Sequence, residues 1–259
     1  MKRNDLKLEV VLSVLNLDKK NLKKMNITSD CTIINQCGKN GYEKYKNYSI
    51  YSYDEIGVSN SRNRGLEHAS DDIILFCDDD IVYVDNYEEL ILNEFNKNLD
   101  ADIIIFNIDS DNRKIKKNKN NKRIHIYNGL GFSSNNIAVR RNSVIGKINF
   151  NTLFGPGGIY SHGEDTLFIV DALKKGLKVY GVNVLIGNAS NSSSTWFKGY
   201  DENYFFDKGA LFTCIGKRFR HLLFVQYLLR HRGVCNNINM FNAYRIMLKG
   251  SKDYLDRGV

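Results

Sequence analysis

Three apolar runs in the first 108 residues constrain the fold more than any other feature. They are Leu8 to Leu15 (LEVVLSVL), Asp72 to Cys77 (DIILFC) and Ala101 to Ile108 (ADIIIFNI). Each is too short for a long helix and too continuously apolar to leave one face in water. Such runs are strands covered on both faces, the habit of parallel sheets. Cys31 to Asn35 (CTIIN) reads as another strand, and Tyr48 to Tyr53 (YSIYSY) alternates as a further one. Between them lie helical patterns. Asp18 to Met25 places Leu22 and Met25 at helical spacing, and Ser59 to Ala69 has Leu66 and Ala69 as its apolar side. Tyr87 to Asn98 turns Leu90, Ile91 and Phe95 inward. Strands alternating with helices predict a doubly wound, mostly parallel α/β sheet. Ligands of such sheets bind beyond the carboxyl ends of the strands.

Past residue 110 the texture changes. Residues 113–123 (RKIKKNKNNKR) hold seven basic residues in eleven and read as a mobile loop rather than an element. Gly-rich and Asn/Ser-rich segments then alternate with short strands such as Ile137 to Arg140 and Lys178 to Val182. Thr166 to Lys175 predicts a helix closed by Gly176. From Glu202 onward the pattern is helical, with Phe219 to Arg232 and Asn239 to Tyr254 as further helices. The 259 residues suit one α/β domain, 1–204, and a helical extension, 205–259.

Charge separates the two parts. Residues 1–204 hold 27 basic and 26 acidic side chains; residues 205–259 hold 10 and 3, most of the net +8. Such asymmetry points to an anionic partner. Three readings stand: an amphipathic helix on an anionic membrane surface, a homodimer contact through Leu222, Leu223, Phe224, Tyr227 and Leu228, or packing on the main domain. Nucleic acid is not expected as a partner, because no recognised motif accompanies the charge. No apolar run is long enough for a membrane-spanning helix. Met1 to Leu17 imitates a signal peptide, but Glu9 and Asn16 interrupt or bound its apolar stretch and no small-residue cleavage site follows. Five cysteines at irregular spacing, without a CxxC pair, argue for a reducing compartment.

Three motifs carry chemistry. Asp78-Asp79-Asp80 follows a buried strand, where adjacent carboxylates need a cation or strong donors to stay ionised. Oxygen-only ligands suit magnesium or manganese. A calcium loop is excluded, since Val82 and Tyr83 stand where a ligand and a glycine are needed. Glu164-Asp165 opens the helix ending at Lys175; its carboxylates either cap the helix or act as a general base on a rigid platform. Arg62 and Arg64, in Gly57 to Gly65 (GVSNSRNRG), can turn at least one guanidinium toward a phosphate. Gly129-Leu130-Gly131 lacks the third glycine of a dinucleotide fingerprint.

In this order, over about residues 8–186, the motifs resemble family-2 glycosyltransferases of the GT-A fold. The resembling residues are Ser13-Val14-Leu15-Asn16 at the end of the first strand, Asn35-Gln36 at the end of the second, the Gly57–Gly65 segment, Asp78-Asp79-Asp80 and Glu164-Asp165. The resemblance implies a Rossmann-like sheet whose first half, 1–110, binds a nucleoside-diphosphate sugar and whose second, 111–204, binds the acceptor. It implies donor contacts at Ser13, Asn16, Gln36, Arg62, Asp78 and Asp79, and Mn2+ or Mg2+ on Asp80 with Asp78. It implies Asp165 as the base of an inverting hexosyl transfer, with Glu164 supporting it. The family's second strand usually ends in an acidic pair; here amides stand there, which can still bond a uracil edge. The resemblance implies a nucleoside-diphosphate sugar, with a UDP-sugar favoured. Trp196 is the expected stacking platform for a glycan or lipid-linked acceptor. Bacterial surface polysaccharide synthesis is the implied setting, on the cytoplasmic side and peripheral to the membrane. The competing readings are a nucleotidyltransferase, which would release pyrophosphate, and a non-catalytic nucleotide-sugar binding protein.

Overall fold

The computed structural model describes residues 6–110, 117–126, 136–189, 199–232 and 238–258. In chain order its strands are β1 (Leu8–Leu15), β2 (Asp30–Gln36), β3 (Gly41–Tyr45), β4 (Tyr48–Tyr53), β5 (Ile73–Asp78), β6 (Ile81–Tyr83), β7 (Ile103–Ser110), β8 (Lys122–Arg123), β9 (Ile137–Arg140) and β10 (Val179–Ala189). The helices are α1 (Lys19–Leu22), α2 (Val58–His68), α3 (Tyr87–Lys97), α4 (Arg141–Val144), α5 (Glu164–Lys174), α6 (Glu202–Ile215), α7 (Arg220–Arg230) and α8 (Met240–Asp256).

The strands form one sheet in the order β3-β4-β2-β1-β5-β9-β7-β10-β6, with β8 paired to β10. Strands β4, β2, β1, β5, β7 and β10 run the same way, and β9 runs against them between β5 and β7. The three apolar runs are β1, β5 and β7, in the middle of the sheet. Period-two side chains explain their continuity. Val10, Leu12 and Val14 of β1 meet Tyr87, Ile91 and Phe95 of α3 on one face. Val11 meets Leu66 of α2 and Phe168, Ile169 and Ala172 of α5 on the other.

Some elements depart from expectation. β3 is an exposed edge strand paired antiparallel to β4. Its Glu43 and Lys44 blunt the edge but give no apolar alternation to read. The basic stretch expected to be a mobile loop is anchored where it is described, over residues 117–123. Buried Asn118 donates its backbone N–H to Asn107 Oδ1 at 2.7 Å and its Nδ2 to the Ile105 carbonyl at 3.0 Å. β8 then pairs with β10. β10 outruns its expected end at Val182 because register irregularities near Leu185 break the pattern but not the pairing.

The C-terminal helices share a core with the main domain. Phe154, Tyr160, Leu167 and Val170 cluster with Phe205, Leu211, Phe224 and Met247. Helices α6 and α8 cross where Gly209 meets the Met247 backbone and Gly250 meets the Phe206 backbone, an approach that leaves no room for a Cβ. Among the described residues, no helix is long and apolar enough to cross a membrane.

Candidate active site

The carboxyl ends of β1 and β5 lie side by side, with Ser13 in register with Asp78. Helix α2 packs against β1 and β2 and carries the buried Arg62. Arg62 is 2% exposed. Its Nη2 donates to Asp78 Oδ1 at 2.9 Å, and its Nη1 donates to Glu164 Oε1 and Asp165 Oδ1, each at 3.1 Å. One guanidinium therefore joins the acidic turn after β5 to the acidic start of α5. Its back rests on an aromatic group: the guanidinium carbon lies 5.4 Å from the Phe150 ring centre, and Phe150 stacks on Phe168 at 4.2 Å.

Local sequence builds this junction. Gly163 precedes α5 in the left-handed region, at φ 112° and ψ −2°, so the chain can turn sharply into the helix. Glu164 and Asp165 then occupy the first turn, where the helix dipole favours anions. Gly155, at φ +98°, lets the loop pass close to Glu164; a Cβ there would stand 2.9 Å from Glu164 Cδ. The same loop docks on the start of α2, where Val58 N donates to the Pro156 carbonyl at 3.0 Å and Ser59 Oγ to the Phe154 carbonyl at 2.8 Å.

The charge balance is uneven: one cation faces three carboxylates. Burial and the Asp165 charge push the Glu164 carboxyl up toward about 8, although Arg62 pulls it down. Burial opposes the charge on Arg62, but Asp78, Asp165 and Glu164 more than offset it and hold the guanidinium protonated. Burial therefore holds Glu164 toward its protonated form.

The other expected donor residues lie at the ends of β1 and β2 and on the turn after β5. Asn16 follows β1 in the left-handed region, at φ 56°. Gln36 is buried and donates Nε2 to the Gly57 carbonyl at 3.1 Å, fixing the start of α2. Ser13 Oγ, Ser61 Oγ and Arg62 Nε are buried and have no hydrogen-bond partner among the described residues. Asp79 is exposed on the turn, and Asp80 turns its Oδ1 out of solvent. Among the described residues no three His, Cys, Asp or Glu side chains form a metal cage. The oxygen-only pair Asp78 and Asp80 fits a magnesium- or manganese-type cation that takes its remaining ligands from water and substrate phosphate. Trp196 lies outside the described residues.

A second group beside the pair was not expected from the sequence. Asp207 of α6 accepts from Ser161 N at 2.7 Å and lies 3.7 Å from His162 Nδ1. His162 stacks on Tyr204 at 4.9 Å, and burial with the nearby Lys208 charge lowers its pKa to about 3. Burial lowers the Lys208 pKa to about 8, while Asp207 and Glu164 pull it back up. The aligned Tyr204, Asp207 and Lys208 on one helix face were the available signal.

This sheet, with an acidic turn after a central parallel strand and an acidic helix start facing it, defines the GT-A type of α/β domain. The chain belongs to Glycosyl transferase family 2, whose family model matches residues 9–176. Among solved structures it is similar to S. aureus TarS 1–349 in complex with UDP-GlcNAc, with a TM-score of 0.66 and 13% identity over 97% of this chain and 81% of that one. A further structure of S. aureus TarS 1–349 gives a TM-score of 0.63 at 13% identity, over 97% of this chain and 83% of that one. No curated protein matches the chain.

Proposed function

We propose that this glycosyltransferase moves a hexosyl unit from a nucleoside-diphosphate sugar, a UDP-sugar in preference, to a hydroxyl of a glycan or lipid-linked acceptor, inverting the anomeric carbon. The observation that carries the reading is the buried Arg62, which joins Asp78, 16 residues away, to Glu164 and Asp165, 102 and 103 residues away. It brings a donor-side acid turn and an acceptor-side base within one side chain's reach.

In this reading the donor lies at the strand ends against Ser13, Asn16, Gln36, Asp78 and Asp79. A divalent cation on Asp80 and Asp78 would neutralise the leaving diphosphate. Arg62 holds Asp165 by Oδ1, so the carboxylate faces the acceptor in one orientation. Asp165 accepts the acceptor hydroxyl proton as its oxygen attacks the anomeric carbon. The bond to the diphosphate oxygen breaks on the opposite face, and the nucleoside diphosphate departs. A positioned base of this kind contributes about 10²–10⁴-fold. The transition state is oxocarbenium-like, as in glycoside hydrolysis. With burial holding Glu164 toward its protonated form, the base role falls to Asp165. Trp196 is retained as the proposed acceptor platform.

TarS, with which the chain shares its fold, was crystallised with UDP-GlcNAc, which supports uridine as the nucleoside. Family membership supports a setting in bacterial surface polysaccharide assembly on the cytoplasmic side. The test is a thermal-shift panel of uridine, guanosine, cytidine and thymidine diphosphates, with and without manganese. At a hundredfold excess over Kd, binding adds about 2.7 kcal/mol. A manganese-dependent rise with uridine diphosphate alone is expected. A folded protein that responds to none of the four would overturn the donor assignment.

A further inference from the structure

We propose that α7 docks on an anionic lipid surface through an outward apolar stripe bracketed by basic residues. The helix is apolar on two sides. Phe224 and Leu228 are buried and join the core shared with α6 and α8. Leu222, Val225 and Leu229, spaced three and four apart, share the opposite side. They are 66%, 45% and 46% exposed, and Phe219, one turn earlier, is 64% exposed. A helix on the surface of a globular protein ordinarily turns polar residues to this side. Isolated exposed leucines need no explanation, but a continuous row does.

Charge selects the occupant. Lys217 and Arg218 precede the stripe, Arg230 and Arg232 follow it, and all four are exposed. Among the described residues none of the four forms a salt bridge. The 45 residues between Asp207 and Asp253 contain nine Lys or Arg and no Asp or Glu. Two copies meeting through this face would bring like charges together at both ends. An anionic headgroup layer complements them, while the apolar row enters the acyl boundary below the headgroups. Long arginine side chains can reach the headgroups while their stems cover apolar surface. This surface uses no residue of the Arg62 cluster, so it stands or falls separately from the proposed reaction.

The experiment is co-sedimentation of the full chain with vesicles of phosphatidylcholine alone or mixed with phosphatidylglycerol. Two variants accompany it: Leu222→Ser/Val225→Ser/Leu229→Ser and Arg218→Gln/Arg230→Gln/Arg232→Gln. The wild type should bind the anionic vesicles only, and more weakly as salt rises. Each arginine contributes about fivefold at such a surface, so the arginine variant should bind roughly a hundredfold more weakly. The apolar variant should also lose binding while keeping its melting temperature. Should that variant unfold, the arginine variant, altered only in exposed side chains, decides the question. Absence of vesicle binding by the wild type would overturn the proposal, as would undiminished binding by the folded apolar variant or by the arginine variant. A dimer seen by ultracentrifugation and dissolved by the apolar variant would instead assign the face to a second copy.

Discussion

Replacing Arg62 by methionine removes the cation of the site while keeping a side chain of similar length against Phe150. Arg62 is 3% exposed at its side chain, and its partners Asp78, Glu164 and Asp165 are 31%, 8% and 19% exposed. Breaking a buried ion pair by removing one partner costs about 3–5 kcal/mol. Asp78 is partly solvated and Glu164 can take a proton, so the lower end applies, about 3 kcal/mol at pH 8. For a chain of this size each kcal/mol lowers the melting temperature by roughly 2–4 °C, or roughly 6–12 °C in all. The loss also depends on pH. Without the guanidinium the Glu164 carboxyl rises further in the folded state, so the deficit shrinks as pH falls and it protonates. Urea unfolding followed by circular dichroism at pH 8 and pH 6 measures both effects. A variant as stable as wild type at pH 8, or a deficit that does not change with pH, would refute the reasoning.

Two further outcomes follow from the same cluster. Glu164 has its ordinary value of 4.5 when unfolded and a raised value when folded. The folded state therefore binds the extra proton, and the stability it confers is present below 4.5 and lost as pH rises toward about 8. Glu164→Gln removes that dependence, so the stability of wild type relative to the variant should decline across this window in paired urea titrations. Gly155→Ala places a Cβ at φ +98° and 2.9 Å from Glu164 Cδ, and should cost about 2–3 kcal/mol with a fall in turnover. Gly146→Ala, at φ +70° with open space around it, should show the backbone cost without the activity loss, as melting and donor-hydrolysis assays would read.

Much of this architecture is legible in the residues. β1, β5 and β7 are covered on both faces, so their apolar continuity marks them without alignment to anything else. The Asp78–Asp80 turn and the Glu164-Asp165 helix start are legible because carboxylates are costly next to buried elements unless they have work there. Arg62 is less so. An arginine in a polar helix reads as facing solvent or phosphate; its burial depends on carboxylates 16, 102 and 103 residues away, a distance no local pattern encodes. The approach of α6 to His162 was hidden for the same reason, since the crossing of Gly209 and Gly250 that seats the helix is tertiary. β3 was hidden for a different one: an edge strand needs no apolar face.

The proposed transfer requires Asp165 as the base and the acidic turn as the donor site. The most direct measurement compares wild type, Asp165→Asn and Asp80→Asn for uridine diphosphate affinity in manganese and for release of that nucleotide from a UDP-sugar. Asp165→Asn should bind the nucleotide as wild type does and lose roughly 10²–10⁴-fold in release, whereas Asp80→Asn should lose manganese-dependent binding as well. Normal release by Asp165→Asn, or full binding by Asp80→Asn, would contradict it.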